Sequence, residues 1–191
     1  MKVLAVFGSP RQGGNSEILL EKFLAGVAAG AIAHQVEKVF LNQMRFLPCQ
    51  ECGGCDATGL CVLKDDLQAF YQKLDQAQAV VLAAPIFFGS LPAQVKAMID
   101  RYQCHWVGKY RLQKKSASAE KKGFLLLVEA SAKESFFKNA ESIVKNFFAV
   151  EEIRFAGRVY CPGVDGKGKI MQHPQCLSQA FELGKTIGDE Q

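Results

Sequence analysis

The chain has 191 residues, of which 49% are hydrophobic and 22% are charged, and its formal net charge is +4. This composition is typical of an ordinary globular domain and excludes a disordered or fibrous chain. The excess of positive charge is too small to predict nucleic-acid binding. No apolar run approaches the roughly 18 residues of a transmembrane helix, and the apolar start over residues 1–7 lacks the pattern of a signal peptide. We expect one cytoplasmic domain over residues 1–191, with neither a nucleic-acid nor a membrane partner.

Short apolar runs alternate with helical patterns along the chain. The predicted strands cover residues 3–7, 36–41, 79–84, 124–128 and 153–161, and the predicted helices begin near Asn15, Asp66, Leu91, Phe136 and Leu177. Asn15 or Ser16 is placed to cap the first helix and Gly30 to end it. The alternation predicts a doubly wound α/β domain, a parallel sheet in three layers with right-handed crossovers.

Two segments show little periodicity. Residues 43–66 form a cysteine-rich loop with four cysteines and three glycines. Residues 107–122 carry one acid, Glu120, against six basic residues: Lys109, Arg111, Lys114, Lys115, Lys121 and Lys122. This basic segment is interpreted either as a solvated loop or as an electrostatic guide for an anionic partner or cofactor.

The loop over residues 8–16 joins the first strand to the first helix and is rich in donors. A helix N-terminus offers unpaired N–H groups and a positive dipole end, and Ser9, Arg11, Asn15 and Ser16 add side-chain donors. Gly14 stands where a Walker loop has lysine, and Pro10 replaces the second glycine of the dinucleotide motif. The pattern therefore favours a terminal monophosphate, with a plain strand-to-helix turn as the alternative.

The loop after the third strand carries two adjacent aromatic residues. It runs from Pro85 through Ile86, Phe87, Phe88 and Gly89 to Ser90. We expect one phenylalanine to point into the core and the other to line a flat ring with the loop backbone. The alternative is that both phenylalanines pack in the core.

These loops resemble those of a known family. The residues Gly8-Ser9-Pro10-Arg11 with Gly14-Asn15-Ser16, the run 85–89 and the run 93–101 are similar to the flavodoxin-like NADPH-dependent FMN reductases. The four cysteines of residues 43–66 resemble those of the iron–sulfur flavoproteins in that family. The resemblance covers nearly the whole chain, including residues 166–168 and the last helix. It implies a five-stranded flavodoxin-like sheet of order 2-1-3-4-5 and tightly bound FMN.

The resemblance also implies which residues contact FMN. The implied phosphate contacts are Ser9, Arg11, Gln12, Gly14, Asn15 and Ser16. The implied ring contacts are Pro85, Ile86, Phe87, Phe88, Gly89 and Ser90, with Ala130 and Ser131 near the ring or ribityl chain. Two positions depart from the family pattern: Phe87 stands where many relatives have tyrosine, and the charged Glu129 ends the fourth strand where a small residue would leave more room.

Four cysteines follow the spacing Cys49-x2-Cys52-x2-Cys55-x5-Cys61. Two successive two-residue gaps resemble the loop that wraps a cubic iron–sulfur cluster, whereas structural zinc usually takes two separated pairs. The sequence leaves four roles open for these cysteines: ligands of a [4Fe–4S] cluster, ligands of zinc, redox-active thiols, or packing alone. The remaining three cysteines, Cys104, Cys161 and Cys176, are isolated in sequence, and we expect each to be buried packing.

The leading hypothesis is an FMN-dependent oxidoreductase or electron-transfer flavoprotein that passes electrons between a [4Fe–4S] cluster and FMN. It would use a ferredoxin-like donor and a small-molecule acceptor, and no side chain is predicted as an acid, base or nucleophile. The alternatives are an NAD(P)H-dependent FMN or quinone reductase without a cluster, a non-catalytic redox or metal sensor, and a monophosphate binder without flavin. The resemblance further implies a homodimer or homotetramer.

Overall fold

The computed structural model describes residues 1–30, 32–114 and 120–188. Lys115 of the predicted basic segment lies outside them. The strands are β1 (Lys2–Phe7), β2 (Gln35–Phe40), β3 (Ala79–Pro85), β4 (Lys121–Val128) and β5 (Ile153–Cys161). They pair in parallel in the order β2-β1-β3-β4-β5, which confirms the predicted flavodoxin-like sheet.

Helices cover both faces of this sheet. They are α1 (Asn15–Ala29), α2 (Leu67–Gln76), α3 (Ala93–Asp100), α4 (Gln103–Trp106), α5 (Glu134–Val150) and α6 (Pro174–Lys185). The central strand β3 is apolar and buried along almost its whole length, as expected for a strand covered on both faces. One core contains Phe70, Val95 and Phe147 from α2, α3 and α5. The other contains Phe23 and Ala180 from α1 and α6.

Helices α1 and α6 approach each other through glycines. A Cβ at Gly26 would lie 2.0 Å from the carbonyl oxygen of Phe181, and one at Gly184 would lie 2.1 Å from that of Phe23. Real Cβ atoms do not approach backbone so closely, so only glycine permits this helix spacing. The contact fixes the helix whose first turn borders the predicted phosphate loop.

Two expectations about local structure are wrong. The N-cap of α1 is Gly14, and no side chain caps the helix, because Asn15 is used elsewhere, as described below. Gly30 ends α1 as predicted. The basic segment is not a simple solvated loop, because Val107–Arg111 forms a π-helical turn and Lys121 and Lys122 belong to β4.

None of the helices in the described part of the chain has both the length and the apolar character needed to cross a membrane. Between Gln43 and Leu67 the described chain forms turns without a helix or strand, as predicted for the cysteine-rich loop.

Candidate functional site

A cavity of about 260 Å³ opens at the carboxyl edge of the sheet, where ligands bind in open α/β folds. The loops after β1, β3, β4 and β5 meet there. Its lining residues are Ser9, Arg11, Gly14, Asn15, Ser16, Pro85, Ile86, Phe87, Val128, Glu129, Ala130, Val164, Asp165 and Gly166. Both predicted binding loops therefore face one cavity.

The loop after β1 is held tightly against the sheet. The N–H of Gly8 donates to the carbonyl of Ala83 at 2.8 Å, and Gln94 Nε2 donates to the carbonyl of Gly8 at 3.0 Å. A Cβ at Gly8 would lie 2.5 Å from Val95 Cγ2, so glycine is required there. Because no side chain caps α1, the N–H groups of its first turn are open to an anion at the cavity.

Asn15 joins this loop to the loop after β5. Its Nδ2 donates to the carbonyl of Gly166 at 2.7 Å, and its Oδ1 accepts from the N–H of Ile170 at 3.2 Å. Lys167 of the same loop lies beside Gly13, where a Cβ would be 3.5 Å from the lysine Nζ. The structure thus places a second cation, besides Arg11, next to the predicted phosphate loop.

The loop after β3 turns sharply at its two phenylalanines. Phe87 and Ser90 exchange backbone hydrogen bonds of 2.9 and 3.0 Å. Phe88 between them has a φ of 49°, in the left-handed region. Phe87 is 46% exposed and Phe88 is fully exposed. The expectation that one ring would enter the core is wrong, because the turn carries both rings away from the sheet. Phe87 lines the cavity.

A buried carboxylate stands at the end of β4. Glu129 lines the cavity and is almost fully buried, and it accepts hydrogen bonds from the hydroxyls of Ser131 and Tyr160. Burial, followed by the hydrogen bond to Glu129, raises the pKa of Tyr160 above its ordinary value. The hydrogen bond that Tyr160 donates to Glu129 thus favours the protonated form of the phenol.

The cavity brings together most, but not all, of the predicted FMN contacts. The predicted residues that do not line it are Gln12, Phe88, Gly89, Ser90 and Ser131. Sequence reasoning did not select Val128, Glu129, Val164, Asp165 and Gly166 as contacts, although they do line it. The position of the loop after β5 at the cavity could have been predicted from the sequence, because this loop follows a parallel strand that ends at the same edge of the sheet.

The four motif cysteines line a second cavity of about 290 Å³. Cys49, Cys52, Cys55 and Cys61 share it with a fifth thiol, Cys104, and with Arg101 and Arg111. Cys104 was expected to be isolated packing; it is buried as expected, but it lies beside the motif. Burial is the main cause that raises the pKa of the Cys55 thiol.

Backbone turns and cations shape the cysteine-rich loop. The N–H groups of Thr58 and Gly59 both donate to the carbonyl of Cys55, at 3.2 and 2.7 Å. A Cβ at Gly59 would lie 2.8 Å from the Cα of Gly108, so the loop packs directly on the π-helical turn. Lys114 Nζ donates to the carbonyl of Thr58 at 2.5 Å. Part of the basic segment therefore supports this loop.

The spacing of the motif thiols can be compared with that of a zinc site. A tetrahedral zinc ion with Zn–S bonds of about 2.3 Å needs sulfur atoms only about 3.8 Å apart. Within the described residues, no three ligand atoms of the cysteine motif lie within 4.8 Å of one another. The motif sulfur atoms would therefore have to move closer together to hold a zinc ion in this way.

The other two cysteines are not isolated. Cys161 at the end of β5 and Cys176 in α6 form a disulfide, because the chain between them folds back toward the sheet. His173 lies with them, and the three possible ligand atoms are within 4.8 Å of one another. Metal binding requires thiolates, so the disulfide form offers no complete metal site. The disulfide instead closes the loop that lines the first cavity.

The sequence of the chain is similar to those of known flavin-dependent proteins. A family model described as NADPH-dependent FMN reductase matches residues 1–150. The chain is 36% identical over 101 residues to an iron-sulfur flavoprotein of Methanosarcina thermophila, covering 53% of this chain and 52% of that protein. It is 32% identical over 119 residues to an iron-sulfur flavoprotein of Methanocaldococcus jannaschii, covering 62% of this chain and 60% of that protein. The chain thus spans little more than half the length of these curated relatives.

Solved structures share the fold over the whole chain. An NAD(P)H:quinone oxidoreductase from Methanothermobacter marburgensis superposes with a TM-score of 0.73 at 18% identity, covering 100% of this chain and 98% of that one. An FMN-dependent NADH-azoreductase from Bacillus anthracis, solved with FMN, gives a TM-score of 0.67 at 11% identity, covering 99% of this chain and 100% of that one. At such identities the likeness establishes the fold alone.

Proposed function

The chain belongs to the NADPH-dependent FMN reductase family, and from this premise we propose that it is an oxidoreductase that passes electrons between a [4Fe–4S] cluster and FMN. The observation that carries the proposal is that all four motif thiols line one cavity of a flavodoxin-like chain. The relatives named iron-sulfur flavoproteins support it. We further propose a single domain over residues 1–191.

The carboxyl-edge cavity is lined by donors and by an apolar surface of the kinds that FMN requires. The uncapped first turn of α1, with Ser9, Ser16 and Arg11, offers donors to a terminal phosphate. Pro85 and Phe87 offer an apolar surface to a ring. When bound, FMN supplies one- and two-electron redox chemistry. The residues of the chain bind and orient it, and we assign none of them as a catalytic acid or base.

The cluster would be held by Cys49, Cys52, Cys55 and Cys61, which supply the four thiolates that such a cluster requires. Arg101 brings a buried positive charge to the same cavity, which offsets the negative charge of thiolate ligands. We propose a ferredoxin-like protein as electron donor, a small molecule as acceptor, a homodimer or homotetramer as the assembly, and the cytoplasm as the location.

The experiment is a metal and cofactor analysis of protein purified without oxygen. We expect FMN absorption bands together with about four iron and four sulfide per chain. Light scattering on the same sample gives the oligomeric state, and a monomer would contradict that part of the proposal. FMN without iron, even after anaerobic reconstitution, would contradict the cluster. A protein that binds no added FMN would contradict the whole proposal.

A second candidate is an NAD(P)H-dependent FMN or quinone reductase without a cluster. The family model and a 26% identical relative named a putative NAD(P)H-dependent FMN-containing oxidoreductase, from Bacillus subtilis, favour it. Anaerobic mixing with NADPH separates the two. Rapid bleaching of FMN by NADPH in an iron-free protein would support this candidate. Binding of flavin or metal without turnover, for any donor and acceptor pair, would instead indicate a sensor.

The buried carboxylate at the flavin cavity gives a separate prediction. Glu129→Gln keeps the size of the side chain but removes a negative charge that opposes the addition of electrons nearby. We expect the midpoint potential of bound FMN to rise, by on the order of 1 kcal/mol per electron. Redox titration measures this shift. The control Glu134→Gln removes an exposed charge at the start of α5, and an equal shift in both variants would contradict the prediction.

A further inference from the structure

Arg101 holds both ends of the cysteine-rich loop with one side chain. It is 1% exposed. Its Nη1 donates to the Asp65 carboxylate at 2.6 Å and to the carbonyl of Leu47 at 2.8 Å, and its Nη2 donates to the other carboxylate oxygen at 3.2 Å. Leu47 comes two residues before Cys49, and Asp65 comes four residues after Cys61. The guanidinium therefore joins the two chain segments that flank the motif.

Asp65 completes this connection. Its carboxylate accepts the N–H of Leu67 at 3.2 Å and that of Leu47 at 3.4 Å. Burial tends to raise the pKa of Asp65, but the hydrogen bonds and charge of Arg101 outweigh it, and the pKa lies below its ordinary value. The carboxylate is charged at neutral pH, so the bidentate ion pair is in place there.

Arg101 also lines the cavity of the four motif cysteines. Its Nε is buried without a hydrogen-bond partner among the described residues. A buried donor without a partner is costly, so an acceptor at that place would be stabilising. Thiolate or sulfide sulfur is such an acceptor, and a cation there favours the more negative, reduced state of a cluster.

Resting on the proposed cluster, we propose that Arg101 is its positioning residue, which preorganises the cysteine-rich loop and raises the reduction potential of the cluster through its buried charge. Nothing in sequence spacing indicated this role, because Arg101 lies 40 residues beyond Cys61. The fold brings it there at the end of α3.

The test compares Arg101→Gln with Arg111→Gln in anaerobically reconstituted protein. Arg111 lines the same cavity but is exposed; it contacts Asp56 at 3.3 Å and lies over the Trp106 ring at 5.8 Å from its centroid. For Arg101→Gln we expect loss of iron to a chelator to accelerate by about 10-fold to 100-fold, and the midpoint potential of the cluster to fall. Arg111→Gln should lose iron at a rate within about twofold of the wild type.

Arg101→Lys keeps the positive charge but not the bidentate hydrogen bonds of the guanidinium. We expect it to lose iron quickly while the midpoint potential of the cluster stays nearly unchanged.

FMN content reports whether each variant keeps its fold. If Arg101→Gln also loses FMN, then Asp65→Asn decides, because it breaks the connection without removing the guanidinium; faster iron loss is expected, and a wild-type rate overturns the inference. If Arg101→Gln keeps FMN, an unchanged rate and potential overturn it. A wild-type protein that takes up no iron overturns the proposed function itself, and this inference with it.

Discussion

Replacing Cys55 with alanine is expected to remove the iron while leaving FMN bound. Four thiolates are needed to complete the ligand set of a [4Fe–4S] cluster, and Cys55 lines the cavity together with the other three motif cysteines. Iron should fall from about four per chain to less than about one. The FMN cavity lies at a different part of the chain, at the carboxyl edge of the sheet, so the flavin content should be unchanged.

The matched control is Cys104→Ala. Cys104 lines the same cavity but lies outside the motif, and its thiol donates to the carbonyl of Arg101 at 3.2 Å. Burial is the largest cause that raises its pKa, to about 11, which disfavours the thiolate that a metal needs. We therefore expect Cys104→Ala to keep its iron. Iron retained in Cys55→Ala but lost in Cys104→Ala would show that the motif is not the ligand set.

The fold was predictable because its signal is local. Each buried strand is a short apolar run, and each helix repeats apolar residues at helical spacing. These patterns gave the limits of β5 without error and those of the other strands within a few residues. The carboxyl-edge rule then located the cavity from the strand ends alone.

What the sequence did not reveal depends on contacts between distant residues. Asn15 or Ser16 was expected to cap α1, but no side chain caps it, and Asn15 bonds to residues 166 and 170 across the cavity. The Cys161–Cys176 disulfide needs the fold of the intervening loop, and Cys104 reaches the cysteine motif only through the packing of α4. Local spacing carries no information on such pairs.

The second large effect is expected for Gly26→Ala. A Cβ at this position would lie 2.0 Å from the carbonyl oxygen of Phe181 in α6 and 3.2 Å from the Cα of Gly184. Both neighbours are backbone atoms, so the two helices must separate. Overpacking of this kind costs about 1–3 kcal/mol or more, and it outweighs the gain of about 1 kcal/mol that alanine brings within a helix. Because the clash is with backbone, we take the cost at the upper end, about 3 kcal/mol, and expect a net loss of about 2 kcal/mol in the free energy of unfolding.

Gly30→Ala is the matched control, because it makes the same chemical change at the end of the same helix. Gly30 has a φ of −68°, and a Cβ there would meet only ordinary contacts, the nearest at 3.4 Å. Its midpoint should therefore stay within about 2 °C of the wild type, whereas Gly26→Ala should melt about 4–8 °C lower when thermal denaturation is measured on samples of equal FMN loading. Equal midpoints would mean that α1 and α6 can separate without cost.

A loss of stability confined to Gly26→Ala should also weaken FMN binding, because α1 presents its first turn to the predicted phosphate site and is held in place by α6.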